Sequence, residues 1–145
     1  MIEDLYQELI IDHGTQPRNF KVMDDCSCNA NGHNPLCGDK ITVYLKLNNS
    51  QISDVSFAGE GCAISMASAS IMSGEIKQQS TQKALTLLQE FTDCLTKDLD
   101  DKNLPIKLQA LIGVKQYPMR VKCATLAWHT FKAALQNDKD IASTE

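Results

Sequence analysis

Three cysteines and one aspartate are the residues whose types could do chemistry: Cys37 and Asp39 in HNPLCGD, Cys62 in GEGCAIS and Cys123 in MRVKCAT. A thiolate can attack an electrophilic sulfur. Thiolates joined by a carboxylate can also fill the four positions of a tetrahedral zinc or iron site, about 2.0–2.3 Å from the metal. Cys37 lies between a proline turn and a Gly-Asp pair, where it reads as a metal ligand, a sulfur nucleophile or a small apolar filler at the head of a strand. No CxxC knuckle links these residues. Spacing therefore leaves a metal site and a set of buried free thiols equally open.

Bringing such residues together falls to the elements around them. KITVYLKL alternates Ile41, Val43, Leu45 and Leu47 with Lys40, Thr42, Tyr44 and Lys46, the period-two pattern of a strand with one buried face. After the NNS turn, ISDVSFAG repeats the pattern through Val55 and Phe57, which predicts an antiparallel hairpin. Setting the apolar residues on one face pairs Leu45 with Val55, Val43 with Phe57 and Lys46 with Asp54. Continued to its end, that ladder puts Gly38 opposite Cys62, so Cys37 and Cys62 meet at one end of the hairpin with Asp39 between them. Cys62 then opens the first turn of a predicted buried helix, CAISMASASIMSGEIK, with Ile64, Ala67, Ser68, Ile71 and Ile76 facing inward. An amide-rich helix start favours the thiolate form of a cysteine.

Elsewhere, residues 2–12 predict a short amphipathic helix closed by His13-Gly14, and residues 22–30 allow at most a short edge strand. Ala84, Leu87, Leu88, Phe91 and Leu95 form the stripe of a helix from Thr81 to Leu95. The charged stretch that follows, ending in a short apolar helix after Pro105, reads as a projecting insertion. A last helix starts at Pro118 and turns Ala124, Ala127, Trp128, Phe131 and Leu135 to the core, with Cys123 near its beginning. The fold expected is α+β, a small antiparallel sheet of about three strands packed against several helices. Residues 1–136 form one domain, with 137–145 a polar, frayed tail.

Composition narrows the function. A net charge of −4 disfavours nucleic acid or an anionic membrane as partner and leaves a protein or small ligand. Acidic residues occupy the N-terminal positions where a signal peptide carries lysines, and no apolar run nears the roughly 18 residues that span a bilayer. The expected location is the cytoplasm, where cysteines stay reduced, so all six are expected as free thiols, ligands or reactive sulfurs. Arg120 and Lys122 flank Cys123 and would offset part of the negative charge of a site built from three thiolates and a carboxylate. Cys26 and Cys28 read as two alternating residues on one strand face that need bind nothing, and Cys94 as packing. His33 reads as a solvated loop residue, His13 and His129 as helix-surface residues.

NPLCGD (34–39), GEGCAISMASASIM (59–72), MRVKCATLAWHTF (119–131) and the opening LYQELIIDHGTQPRNF together resemble the SufU/IscU family of iron-sulfur cluster assembly proteins, related to the N-terminal domain of NifU. The likeness spans nearly the whole chain. The segment 95–113 resembles the insertion of the SufU branch, and Lys122 stands where IscU proteins carry a histidine.

The resemblance implies a zinc site made by Cys37, Asp39, Cys62 and Cys123, with Cys37 as sulfur acceptor and Arg120 as electrostatic support. It implies a SufS-like cysteine desulfurase as partner, a downstream sulfur acceptor or SUF scaffold as recipient, and zinc-dependent sulfur transfer as the activity. Two alternatives stand beside it. One is an IscU-like scaffold that assembles a 2Fe–2S cluster on the same four residues; the other is a structural zinc module that only binds proteins.

Overall fold

The computed structural model describes residues 2–97, 99–136 and 142–143. The elements run α1 (Ile2–Thr15), β1 (Cys28–Asn34), β2 (Asp39–Asn48), β3 (Gln51–Glu60), α2 (Ala63–Ile76), α3 (Thr81–Thr96), α4 (Ile106–Ile112), α5 (Pro118–Leu135) and β4 (Ala142–Ser143). The α+β class therefore holds. Three antiparallel strands lie in the order β3-β2-β1, and β4 adds a parallel fourth at the β1 edge through Gly32 and His33. Part of the expected frayed tail is thus paired as a strand; residues 137–141 and 144–145 lie outside the described residues. Among the described residues, no helix is long and apolar enough to cross a membrane.

The hairpin register is the one dictated by its apolar face: Leu45 pairs with Val55, Val43 with Phe57 and Lys46 with Asp54. Ile41, Val43, Leu45, Val55 and Phe57 are fully buried on the inner face, under helices that include α5, whose Trp128 and Phe131 are also fully buried. The Trp128 and Phe91 rings tilt together at 5.1 Å between centroids, which joins α3 to α5, and the indole N–H donates to Ser68 Oγ of α2 at 3.2 Å. A buried indole N–H is costly without such an acceptor. Strands, α2, α3 and α5 therefore share one core.

Several expectations change. The edge strand expected within 22–30 instead begins at Cys28, ends at Asn34 and lies between β2 and β4. Its inward residues are Ala30, Gly32 and Asn34, too small or polar to write an apolar period. His33 is accordingly a strand residue paired with Lys40 and not a loop residue. Cys26 sits in a turn, its N–H on Met23 O, so only Cys28 belongs to the strand.

The first helix does not stop before Gly14 but continues to Thr15. A Cβ on Gly14 would come within 2.9 Å of the Ala63 carbonyl, so this glycine serves a close approach to α2 rather than a helix end. His13, expected on the surface, is only 4% exposed and hydrogen-bonds Ser70 Oγ of α2 through Nδ1 at 2.7 Å. The segment after α3 does not project. Leu104, Leu108, Leu111, Ile112 and Val114 are buried in the main core, because apolar residues spaced along α4 gain more from burial than a protruding helix could offer.

Candidate metal centre

The centre lies where β1 turns into β2. Asn34, fully buried at the end of β1, organises the turn. Its carbonyl accepts from Cys37 N–H at 3.3 Å and Gly38 N–H at 2.9 Å, and its Oδ1 accepts from Leu36 N–H at 3.3 Å. Gly38 sits at φ +74°, a left-handed conformation that favours glycine. This turn leaves the Cys37 residue exposed and Asp39, the first residue of β2, fully buried.

The opposite strand leaves the ladder two steps before Gly38 could face Cys62; pairing ends at Lys40 with Glu60. A side-chain bond continues it, since Asp39 Oδ1 accepts from Cys62 N–H at 2.9 Å. Cys62 is the N-cap of α2 rather than part of its first turn, and its Sγ accepts from Ser65 N–H at 3.5 Å. Gly61 makes this approach possible: a Cβ there would sit 2.8 Å from Asp39 Oδ1 and closer still to Ser65 Oγ.

Cys123 arrives from the first half of α5, buried, with its thiol donating to Cys37 Sγ at 3.4 Å. Asn34 Nδ2 approaches the same sulfur at 3.8 Å. One ligand atom from each of Cys37, Asp39 and Cys123 lies within 4.8 Å of the other two. Cys62 Sγ lies outside that set of three. Burial raises the Cys123 thiol far above its ordinary range, and its hydrogen bond to Cys37 adds to the rise.

The residues present fit a thiophilic divalent cation. The decisive observation is Asp39 Oδ2, buried and without a hydrogen-bond partner, because a buried carboxylate oxygen left unpaired is expensive unless a cation or donor meets it. Sulfur-rich donors with one carboxylate suit zinc or iron over magnesium or calcium.

Arg120, named from the sequence as electrostatic support, is exposed, and its guanidinium lies over the Tyr117 ring at 4.6 Å from the centroid. Its interaction partner in the structure is that ring. Lys122 is half-buried. Cys94 is buried in the core and Cys28 packs against it, so both follow the packing expectation. Asn34 is the residue that sequence reasoning missed; the Asn-Pro dipeptide, which favours turn initiation, was its only signal.

A family model described as NifU-like N terminal domain matches residues 5–143. A zinc-dependent sulfurtransferase SufU of Bacillus subtilis (strain 168) is 39% identical over 139 residues, which cover 95% of this chain and 94% of the relative. An iron-sulfur cluster assembly scaffold protein IscU of Streptococcus pyogenes serotype M1 is 32% identical over 136 residues, 93% of this chain and 85% of that protein. The crystal structure of FiSufU from Fervidobacterium islandicum AW-1 superposes with a TM-score of 0.83 at 34% identity, covering 92% of this chain and 98% of that one.

Proposed function

The chain belongs to the NifU-like N-terminal domain family, the IscU/SufU group of iron-sulfur cluster assembly proteins, and from that premise we propose that it is a zinc-dependent sulfur-transfer protein of the SufU branch. Cys37, Asp39, Cys62 and Cys123 are the residues that would hold zinc. When bound, zinc supplies a Lewis-acid centre that keeps ligating thiols deprotonated.

The observation that carries the proposal is the contrast between Cys37, exposed on its turn, and its buried neighbours Asp39 and Cys123. An incoming persulfide can reach Cys37. Its thiolate attacks the outer sulfur of the persulfide on a SufS-like cysteine desulfurase, the new S–S bond forms on Cys37, and the desulfurase thiol departs. Leu36, next to Cys37, and Met119, one turn before Cys123 on the same helix face, are 59% and 51% exposed and supply an apolar rim for such a partner. A downstream sulfur acceptor or SUF scaffold would take the sulfur onward, in the cytoplasm. The resemblance of segment 95–113 to the SufU insertion supports that branch, and Arg120, held over Tyr117, would lend positive charge near the start of α5.

A scaffold that builds a 2Fe–2S cluster on the same four residues is the second reading, favoured by the likeness to the Streptococcus pyogenes IscU. Lys122 in place of the IscU histidine weighs against it. Anaerobic purification with zinc and iron analysis separates the two, followed by a SufS-type desulfurase assay with cysteine. Stoichiometric zinc, and desulfurase stimulation that Cys37→Ser abolishes, are expected. Equal stimulation by Cys37→Ser would remove the acceptor role, and stoichiometric iron and sulfide with visible absorbance would favour the scaffold.

A further inference from the structure

The charged run that follows α3 has no part in the metal centre, yet by folding back along α3 it builds a groove. Two hollows of about 430 and 380 Å³ adjoin there and share Glu90 and Asn103. Ala84, Leu87 and Pro105 give the first an apolar lining, and Cys94, Leu99 and Leu104 do so for the second. Leu104 is buried at the floor, while Leu99 is left 50% exposed at the rim. Carboxylates surround this apolar surface: Glu75 borders the first hollow, Glu90 stands between the two, and Asp93 and Asp100 border the second. Asp93 and Asp100 have lysine partners, Lys97 at 3.4 Å and Lys102 at 3.9 Å, whereas among the described residues no ion pair engages Glu75 or Glu90. Lys83 is the only cation among the described residues that line the hollows. The negative field reaches the floor, since the Cys94 thiol is raised first by burial and then by Asp101, Asp93 and Glu90, against the smaller pull of Lys115.

We propose that this groove docks a short, extended, cationic segment of a partner protein, with one apolar side chain in each hollow and lysines or arginines against Glu75, Glu90, Asp93 and Asp100. Complementarity of charge selects such a segment, and the apolar lining gives it a hold that charge alone would not. The spacing selects its conformation. Along α3 the first hollow centres on Leu87 and the second between Asp93 and Cys94, roughly 10 Å further on at 1.5 Å per residue. A polyproline II segment returns each side chain to the same face every three residues, over about 9 Å, so apolar residues three apart meet both hollows. The groove is also separate from the metal centre. Glu75 lies near the end of α2 and Cys62 caps its start, roughly 20 Å apart along the helix axis. A segment seated here leaves the Cys37 turn open, so the docking is independent of how the sulfur chemistry is read.

The test titrates the full chain, as purified, with the capped peptide RKLSPLSKR, following heat by calorimetry and backbone amide shifts by NMR. Binding is expected with a dissociation constant below about 1 mM, with the amide shifts confined to α3 and residues 99–105. The leucine-free peptide RKSSPSSKR and the uncharged peptide QQLSPLSQQ are expected not to bind. Glu90→Lys should weaken binding about tenfold and Leu99→Ser about fivefold, both changes being at exposed positions. Glu8→Lys makes the same charge change on the exposed face of α1 and should leave affinity within about twofold of wild type. Absence of binding at about 1 mM overturns the proposal, as does equal binding of the leucine-free peptide or equal weakening by Glu8→Lys. Amide shifts centred on Leu36 and Met119 would move the site to the metal-centre rim and overturn it as well. A dimer seen by sedimentation that Glu90→Lys dissolves would assign the groove to a second copy of this chain instead. The shift map is read on wild type, so the outcome does not depend on a variant that folds.

Discussion

Cys62 donates its backbone N–H to Asp39 Oδ1 at 2.9 Å, so the carboxylate that opens β2 also fixes the point at which α2 begins. One oxygen of Asp39 is committed to architecture. The other, Oδ2, is buried and unpartnered. A single side chain therefore joins hairpin to helix and offers a ligand atom beside Cys37 and Cys123.

Separating those two roles is the purpose of Asp39→Asn. The amide oxygen can still accept from Cys62 N–H, while an amide nitrogen replaces the free carboxylate oxygen. The variant is expected to fold, with a melting temperature of its metal-free form close to that of metal-free wild type. Its zinc affinity is expected to fall by about 10–100-fold or more, the scale on which even supporting groups around a metal affect binding. Competition against a chromophoric chelator measures this, and an unchanged affinity would show that Oδ2 is no ligand. Asp39→Ala should add a stability loss of about 1–3 kcal/mol, because Cys62 N–H loses its acceptor.

Gly61→Ala places a methyl carbon 2.8 Å from Asp39 Oδ1 and even closer to Ser65 Oγ. Ser65 Oγ is itself tied to the Cys62 carbonyl at 3.2 Å, so it cannot yield without disturbing the start of α2. Overpacking of this kind costs about 1–3 kcal/mol. Denaturant unfolding should show that loss, together with a weaker hold on zinc. Wild-type stability and affinity in Gly61→Ala would mean that the Asp39–Cys62 contact is looser than described.

How much of this was legible in the sequence depends on how each element buries its residues. The hairpin has one apolar face, so its period fixed the register from Val43–Phe57 to Lys46–Asp54 and brought Cys37, Asp39 and Cys62 to one end. β1 was obscure because CNANGHN fills its inner face with Ala30, Gly32 and Asn34, and no apolar alternation results. The burial of His13 was hidden for a different reason. A histidine is polar to any pattern, and only the presence of Ser70 opposite it, 57 positions away, makes burial acceptable. The charged run before Pro105 concealed the apolar helix that follows it and folds back.

That fold-back predicts a measurable dependence. Leu108 and Leu111 are both fully buried in the core cluster that contains Phe91 and Trp128. Leu108→Ala and Leu111→Ala should each cost about 2–5 kcal/mol, the range for leucine truncation at sites that relax incompletely. An insertion that projected into solvent would tolerate both changes within about 0.5 kcal/mol. Chemical denaturation of the two variants distinguishes these cases without reference to activity.

Acid should loosen the N-terminal helix through His13. Its Nδ1 lies 2.7 Å from Ser70 Oγ, and that hydroxyl oxygen also accepts from Arg18 N–H at 2.8 Å. Burial lowers the His13 pKa from its ordinary 6.5, and the charges of Arg18 and Lys107 lower it further, against the opposing pull of Asp12. The folded state thus prefers the neutral ring more than the unfolded state does. The resulting stability is complete above the ordinary value of 6.5 and is lost as pH falls from there through the depressed folded value. Wild type should accordingly lose stability as pH falls below the ordinary 6.5, where His13→Gln should vary less. His13→Ala should cost about 1–3 kcal/mol at neutral pH, since it removes the buried hydrogen bond to Ser70 Oγ. Denaturant melts of the three proteins across pH 5–8 check both points. Parallel pH profiles for wild type and His13→Gln would show that another group governs the acid response.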